Sequence, residues 1–168
     1  HLPRNPNVSF ANRKRLRLET ILPATLALVL GIGWAARELT FAQEGAAPLR
    51  SKTVVLDQVK MAEYRDQGKA VGQLGIYHAG ETPRSSKFVT GRLVLDAGKS
   101  PHPPHVHEEE EVMVIESGHG DIFVDGETTK VGPGSVMYTT PNVPHGIVNT
   151  GDTPLVFYFV KWAEKGKK

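Results

Sequence analysis

From about Thr53 to Trp162, apolar and polar residues alternate in short runs, each closed by glycine, proline, asparagine or aspartate. KTVVLDQVKMAEY opens this region and reads as a strand leading into one helical turn. GQLGIYHAG, KFVTGRLVLDAG, EVMVIESG, GDIFVDGE, KVGPGSVMYTTPN, HGIVNTGD and PLVFYFVKW follow it. Alternation with a period of two gives each strand one apolar and one polar face. Many such strands between turn residues predict an all-β fold, a sandwich or barrel of antiparallel strands. VIESGHGDIFVDGETTKV reads as two hairpins in tandem, with SGHG and DGE as their turns. No segment repeats, so a single barrel is expected over residues 71–163, after a linker with an N-terminal strand or short helix at 43–70. The end of the chain, KWAEKGKK, is polar and expected to fray, with residues 164–168 as the tail.

The first 42 residues follow another pattern. NRKRLRLE is a basic stretch, and Ile21 to Ala36 is an uncharged, largely apolar run of 16 residues. Thr40 and Ala42 place small residues where a signal peptidase would cut after Ala42. The run is shorter than the roughly 20 residues that comfortably span a bilayer. A hydrophobic targeting helix is therefore expected over residues 1–42, either a cleaved signal peptide or a retained N-terminal membrane anchor, with a buried helix as the remaining alternative. Either of the first two makes the protein exported, to the periplasm or the cell exterior.

Charge follows the same division. The 168 residues carry a formal net charge of +2, but Arg4, Arg13, Lys14, Arg15, Arg17 and Arg37 stand against only Glu19 and Glu38 in the leader. Residues 43–168 keep 14 basic and 16 acidic side chains, a net −2. Such a domain is a poor binder of nucleic acid. The absence of cysteine excludes disulfides, thiolate metal sites and cysteine nucleophiles.

Candidate chemistry concentrates in HPPHVHEEEE, residues 102–111. On a strand, His105 and His107 point to one face, and Glu111 shares their parity with Met113 and Ile115. Two imidazoles and a carboxylate beside apolar residues are costly to bury without a cation, and they form a ligand set favoured by Mn, Fe, Ni and Zn. His145 opens a short strand after a proline-rich turn, and the intervening strands can bring it opposite His105 and His107. Glu108, Glu109 and Glu110 read as an exposed approach to the strand, and His119 as an exposed turn residue. Met113, Met137, Tyr138, Phe157 and Phe159 read first as core.

The two segments resemble the paired motifs of the cupin superfamily, G-x5-H-x-H-x3,4-E-x6-G and G-x5-P-x-G-x2-H-x3-N. His105, His107, Glu111 and Gly118 keep the spacing of the first motif, although Gly98 lies one residue too early. Gly134, His145 and Asn149 keep that of the second, with Thr140 in place of proline and Asn142 in place of glycine. Asparagine enters the left-handed region more readily than other side chains, so the second exchange is mild. The resemblance spans about residues 86–162 and implies a single cupin-type barrel, the double-stranded β-helix or jelly roll. It assigns His105, His107, Glu111 and His145 as ligands of a divalent transition metal: Mn, Fe, Ni, Zn or Cu.

Members of that superfamily with this ligand set include dioxygenases, oxalate-processing enzymes, isomerases and lyases. The resemblance therefore implies a metal-dependent enzyme acting on a small oxygen-rich molecule, foremost a dioxygenase-like oxidoreductase. His102 or Tyr138 would serve as the acid or base; for His102 a turn role is the competing reading. The alternative is a non-catalytic protein that binds a small ligand or metal at the cell envelope. Homodimerisation through the outer strand faces is also expected, and the N-terminal segment is the only contact foreseen with a membrane.

Overall fold

The computed structural model describes residues 48–166. The expected targeting helix lies outside them, and no helix among the described residues is long and apolar enough to cross a membrane. A single 3-10 turn, Leu56–Gln58, precedes nine strands: β1 (Ala62–Asp66), β2 (Lys69–Gly80), β3 (Ser85–Leu95), β4 (Glu110–Ser117), β5 (Gly120–Val124), β6 (Glu127–Val131), β7 (Val136–Thr139), β8 (His145–Asn149) and β9 (Leu155–Glu164). The opening segment thus places its turn before its strand, the reverse of the expected order.

Six strands form one sheet in the order β1-β2-β3-β9-β4-β7, and three form another in the order β6-β5-β8. Every pairing is antiparallel. The alternation drives the closure. Leu93 and Leu95 on β3, Met113 and Ile115 on β4, and Phe157 and Phe159 on β9 turn inward from the large sheet. They join Ile122 and Ile147 from the small one in a single buried cluster. Removing this apolar area from water is the main stabilising term, about 25 cal/mol per Å².

Of the two expected hairpins, one forms. β5 and β6 pair around Asp125 and Gly126, whose φ angles of 49° and 89° suit a tight, right-twisted turn. SGHG does not make a hairpin: β4 belongs to the large sheet and β5 to the small one, so the chain crosses between sheets there. Gly118 has φ 81°, and a Cβ on it would lie 2.4 Å from the Pro154 carbonyl oxygen. The glycine serves a close crossing rather than a turn. β9 runs to Glu164, one residue past the expected end of the barrel.

Asn149 fastens the far end of the small sheet. Fully buried, it donates to the carbonyls of Leu95 (3.0 Å) and Thr153 (2.8 Å), and its Oδ1 accepts from the Gly151 N–H at 2.9 Å. Replacing it with leucine strands two carbonyls and an amide. Asn149→Leu is expected to lose about 2–4 kcal/mol of stability, measured by urea denaturation, while any folded fraction keeps the arrangement around His145.

Candidate metal centre

His105 lies just before β4 and is tied to His145, the first residue of β8, by a pair of backbone hydrogen bonds of 3.0 Å each. The proline-rich turn before β8 works through Asn142, which takes φ 61° and donates its N–H to the His107 carbonyl at 2.8 Å. The left-handed position is therefore filled by the residue that replaces the usual glycine. Two segments forty residues apart in sequence are locked in register, and their imidazoles meet inside the barrel.

One ring nitrogen from each of His105, His107 and His145 lies within 4.8 Å of the others. Glu111 Oε2 reaches the Nε2 atoms of both His107 and His145 at 3.0 Å. Glu111 and His145 are almost fully buried, at 3% and 1% exposure. Sequence parity and a non-local strand pairing thus bring the three imidazoles together, with Glu111 3.0 Å from two of them.

The proton count of this cluster does not balance. His145 Nδ1 faces the Val143 carbonyl at 2.8 Å, and His107 Nδ1 faces the Glu109 carbonyl at 3.0 Å. A carbonyl only accepts, so each Nδ1 carries the proton of a neutral ring. Each Nε2 then presents a lone pair to the same carboxylate oxygen. Three lone pairs converging in a dry pocket repel unless extra protons or a cation lie between them. His105 Nδ1 is buried without a hydrogen-bond partner. Three imidazoles and one carboxylate are the donor chemistry of a divalent transition ion, and the His107 and His145 rings are already oriented through their Nδ1 atoms.

The titration behaviour carries the same tension. Burial alone would raise the Glu111 carboxyl, yet its close contacts with the His107 and His145 rings and the Lys161 charge bring it down to about 2. Burial lowers His145, but its contacts with Glu111 and the Val143 carbonyl outweigh that and leave it raised. His105 is pushed down to about 3, by burial first and then by the neighbouring charges of His102, His145 and His107.

The remaining candidates separate. His102 sits beside the cluster, its ring centroid 4.0 Å from that of His105, and its Nδ1 donates to the Pro103 carbonyl at 3.0 Å. It lines the barrel cavity and also an outer cleft of about 400 Å³ bordered by Asp66, Asp121 and Phe123. Burial lowers its pKa below the usual imidazole value. Tyr138 is not at the site, nor is it core. It stands on the outer face of β7, 53% exposed, and donates to Glu110 Oε2 at 2.6 Å. The register explains this: Thr139, paired with Glu111, points inward, and its neighbour must point out.

Glu109 escaped the sequence reading of an exposed approach. Its side chain is only 13% exposed, with a carboxylate oxygen 3.4 Å from His107 Nδ1 and another contact to Lys87. Lys161 was also missed, and it borders the same cavity as Glu111 and His102.

A pH dependence follows for the metal-stripped protein. The folded His105 has a depressed pKa, so the unfolded chain binds more protons between about 6.5 and about 3. Its contribution to stability is complete above that window and is lost as pH falls through it. Glu111 adds a loss of the same sign between 4.5 and about 2. The raised His145 acts oppositely, adding stability at low pH that disappears as pH rises through its folded value. Urea unfolding across this range is expected to show stability falling toward pH 3, with a shallower fall in His105→Gln; equal slopes would contradict the assignment.

Residues 91–161 match the family model described as Cupin domain. Among solved structures, a predicted oxalate decarboxylase from Thermotoga maritima is 23% identical, with a TM-score of 0.54 over 67% of this chain and 99% of that one. The polyketide cyclase RemF from Streptomyces resistomycificus is 23% identical, with a TM-score of 0.54 over 70% and 83%. KdgF from Halomonas sp. is 18% identical, with a TM-score of 0.54 over 67% and 94%. At these identities the likeness is one of fold. Together with the domain match over residues 91–161 and the paired His105 and His145 segments, it gives the described residues a cupin-type fold.

Proposed function

We propose that this chain is a metal-dependent enzyme acting on a small oxygen-rich organic molecule, with dioxygenase-like oxidation as the leading reaction. The observation that carries this reading is the meeting of two Nε2 lone pairs on one Glu111 oxygen, both at 3.0 Å, with both Nδ1 protons committed to carbonyls. His105, His107, Glu111 and His145 would hold Mn, Fe, Ni, Zn or Cu. Bound there, such an ion supplies Lewis acidity and, where redox-active, electron transfer. Four protein ligands leave positions open on a six-coordinate ion.

The chain's own residues do the rest. The carbonyls of Val143 and Glu109 fix the tautomers of His145 and His107. His102, kept neutral by burial and with its Nδ1 proton held by Pro103, offers Nε2 as a base at the edge of the cavity. Phe157, Phe159 and Met113 give the cavity apolar walls. Isomerase and lyase chemistry could use the same arrangement. The names of the solved relatives, a predicted oxalate decarboxylase and a polyketide cyclase, support an enzymatic reading without choosing a reaction.

A second reading, a non-catalytic cupin that binds a small ligand or metal at the cell envelope, draws on the size of the barrel cavity, about 50 Å³. Elemental analysis of protein purified without added metal, followed by oxygen-uptake and product screens on small acids, diketones and phenolics, separates the two. The enzyme reading expects near-stoichiometric metal and turnover. His105→Ala and His145→Ala are expected to lower metal affinity at least about a hundredfold, and Tyr138→Phe to leave metal content unchanged. Full metal retention in both histidine variants would overturn the site, and metal without turnover would favour the binding protein.

We extend the reading to an exported homodimer, with residues 1–42 as signal peptide or anchor. The outer face of the large sheet supports self-association, because Val114, Val136 and Tyr138 are 38%, 66% and 53% exposed on adjacent strands. Light scattering is expected to give twice the chain mass, falling to one chain in Val136→Glu. N-terminal sequencing of the envelope-fraction protein tests for cleavage after Ala42.

A further inference from the structure

Lys161 occupies a position where the fold would ordinarily place an apolar residue. On β9 the inward-facing residues are Leu155, Phe157 and Phe159, all buried, and Lys161 is next in that series. The register sets it between Val89 on β3 and Glu111 on β4, so its side chain shares their inner face. It borders the cavity together with Glu111, His102, Met113, Phe157 and Phe159.

Its ammonium makes no close ion pair there, although its charge reaches the Glu111 carboxyl and lowers it. Among the described residues no carboxylate oxygen is paired with it, although seven other cationic side chains, counting histidines, have such pairs. Its Nζ lies 6.0 Å from the centroid of the Phe159 ring. The neighbouring carboxylate, Glu111, is already engaged by His107 and His145. A cation turned into a partly dry, apolar-walled cavity is unfavourable unless something neutralises it.

We propose that Lys161 is the anchor for an anionic group of the substrate, so that the small molecules accepted at this centre are carboxylates or similarly charged acids. The inference rests on the metal reading of the histidine–glutamate cluster and deepens it. A divalent ion and Lys161 together outweigh the single negative charge of Glu111, and an anionic ligand restores the balance. The cavity volume of about 50 Å³ admits a group of only a few heavy atoms beside the ion. One carboxylate oxygen would accept from Lys161 Nζ while the rest of the molecule faces the metal positions. Lys161 is thereby a specificity-determining residue: a neutral analogue of the same shape leaves the ammonium unpaired, which is the stronger form of discrimination.

The test is calorimetric binding of acetate, glycolate and oxalate, each against its neutral amide, to zinc-loaded and to chelator-treated protein. Wild-type, Lys161→Met and Lys161→Arg chains are compared, and the zinc content of each is measured. At least one acid is expected to bind the wild-type, zinc-loaded protein ten or more times tighter than its amide. Lys161→Met loses that preference with zinc content unchanged, and Lys161→Arg keeps most of it. Equal acid binding in wild type and Lys161→Met overturns the proposal, as does failure of all three acids to bind in either form. If wild type takes up no zinc, zinc is struck from the metal reading separately, and the chelator-treated series still decides the lysine. Acid preference that depends on Lys161 there supports it, and preference independent of it overturns it. Loss of zinc from Lys161→Met without loss of acid preference shows a charge-balancing role for Glu111 and also overturns it.

Discussion

The contact on which the site depends is a single carboxylate oxygen of Glu111 shared by two imidazole nitrogens in a nearly water-free pocket. Each histidine is held from behind by a backbone carbonyl, so neither can turn away or change its tautomer without losing a buried hydrogen bond. The convergence therefore requires a positive charge. In the stripped protein it is met by protons, which is why His145 is raised while Glu111 stays ionised down to about pH 2. A divalent ion meets the same requirement without protons, and metal uptake should compete with them.

The barrel exists around this cluster because apolar alternation continues through it. Glu111 is the first inward residue of β4, followed by Met113 and Ile115, so the ligands sit at the mouth of an otherwise hydrocarbon core. Antiparallel register then decides which side chains share that mouth. Thr139 and Lys161, both paired with Glu111, face the site, whereas Tyr138 and Glu110 face outward and bond to each other. A lysine in that inner layer gives the cavity a preference for negative charge that the ligand set alone does not have.

Much of this was legible in the sequence. The resemblance to paired motifs implied His105, His107, Glu111 and His145, and parity put Glu111 on the same face as Met113 and Ile115, because each motif and the alternation are local. The misreadings share a cause, since each depended on a non-local pairing. The turn at Gly118 looks the same in sequence whether it folds a hairpin or crosses between sheets, and only the approach to Pro154 distinguishes the two. Tyr138 could be taken for core or catalyst because its facing is set by the partner of Thr139 on another strand. Lys161 lay in an expected strand, but only its register with Glu111 places it on the inner face.

The most direct measurement is anomalous X-ray scattering from crystals of protein purified without added metal, collected at the absorption edges of Mn, Fe, Ni, Cu and Zn. One strong peak is expected, bonded to His105, to the Nε2 atoms of His107 and His145, and to the Glu111 carboxylate. Both Nδ1 contacts with the carbonyls should remain in place. A crystal soaked in those metals that shows no peak there, with Glu111 still hydrogen-bonded to both histidines, would contradict the metal centre.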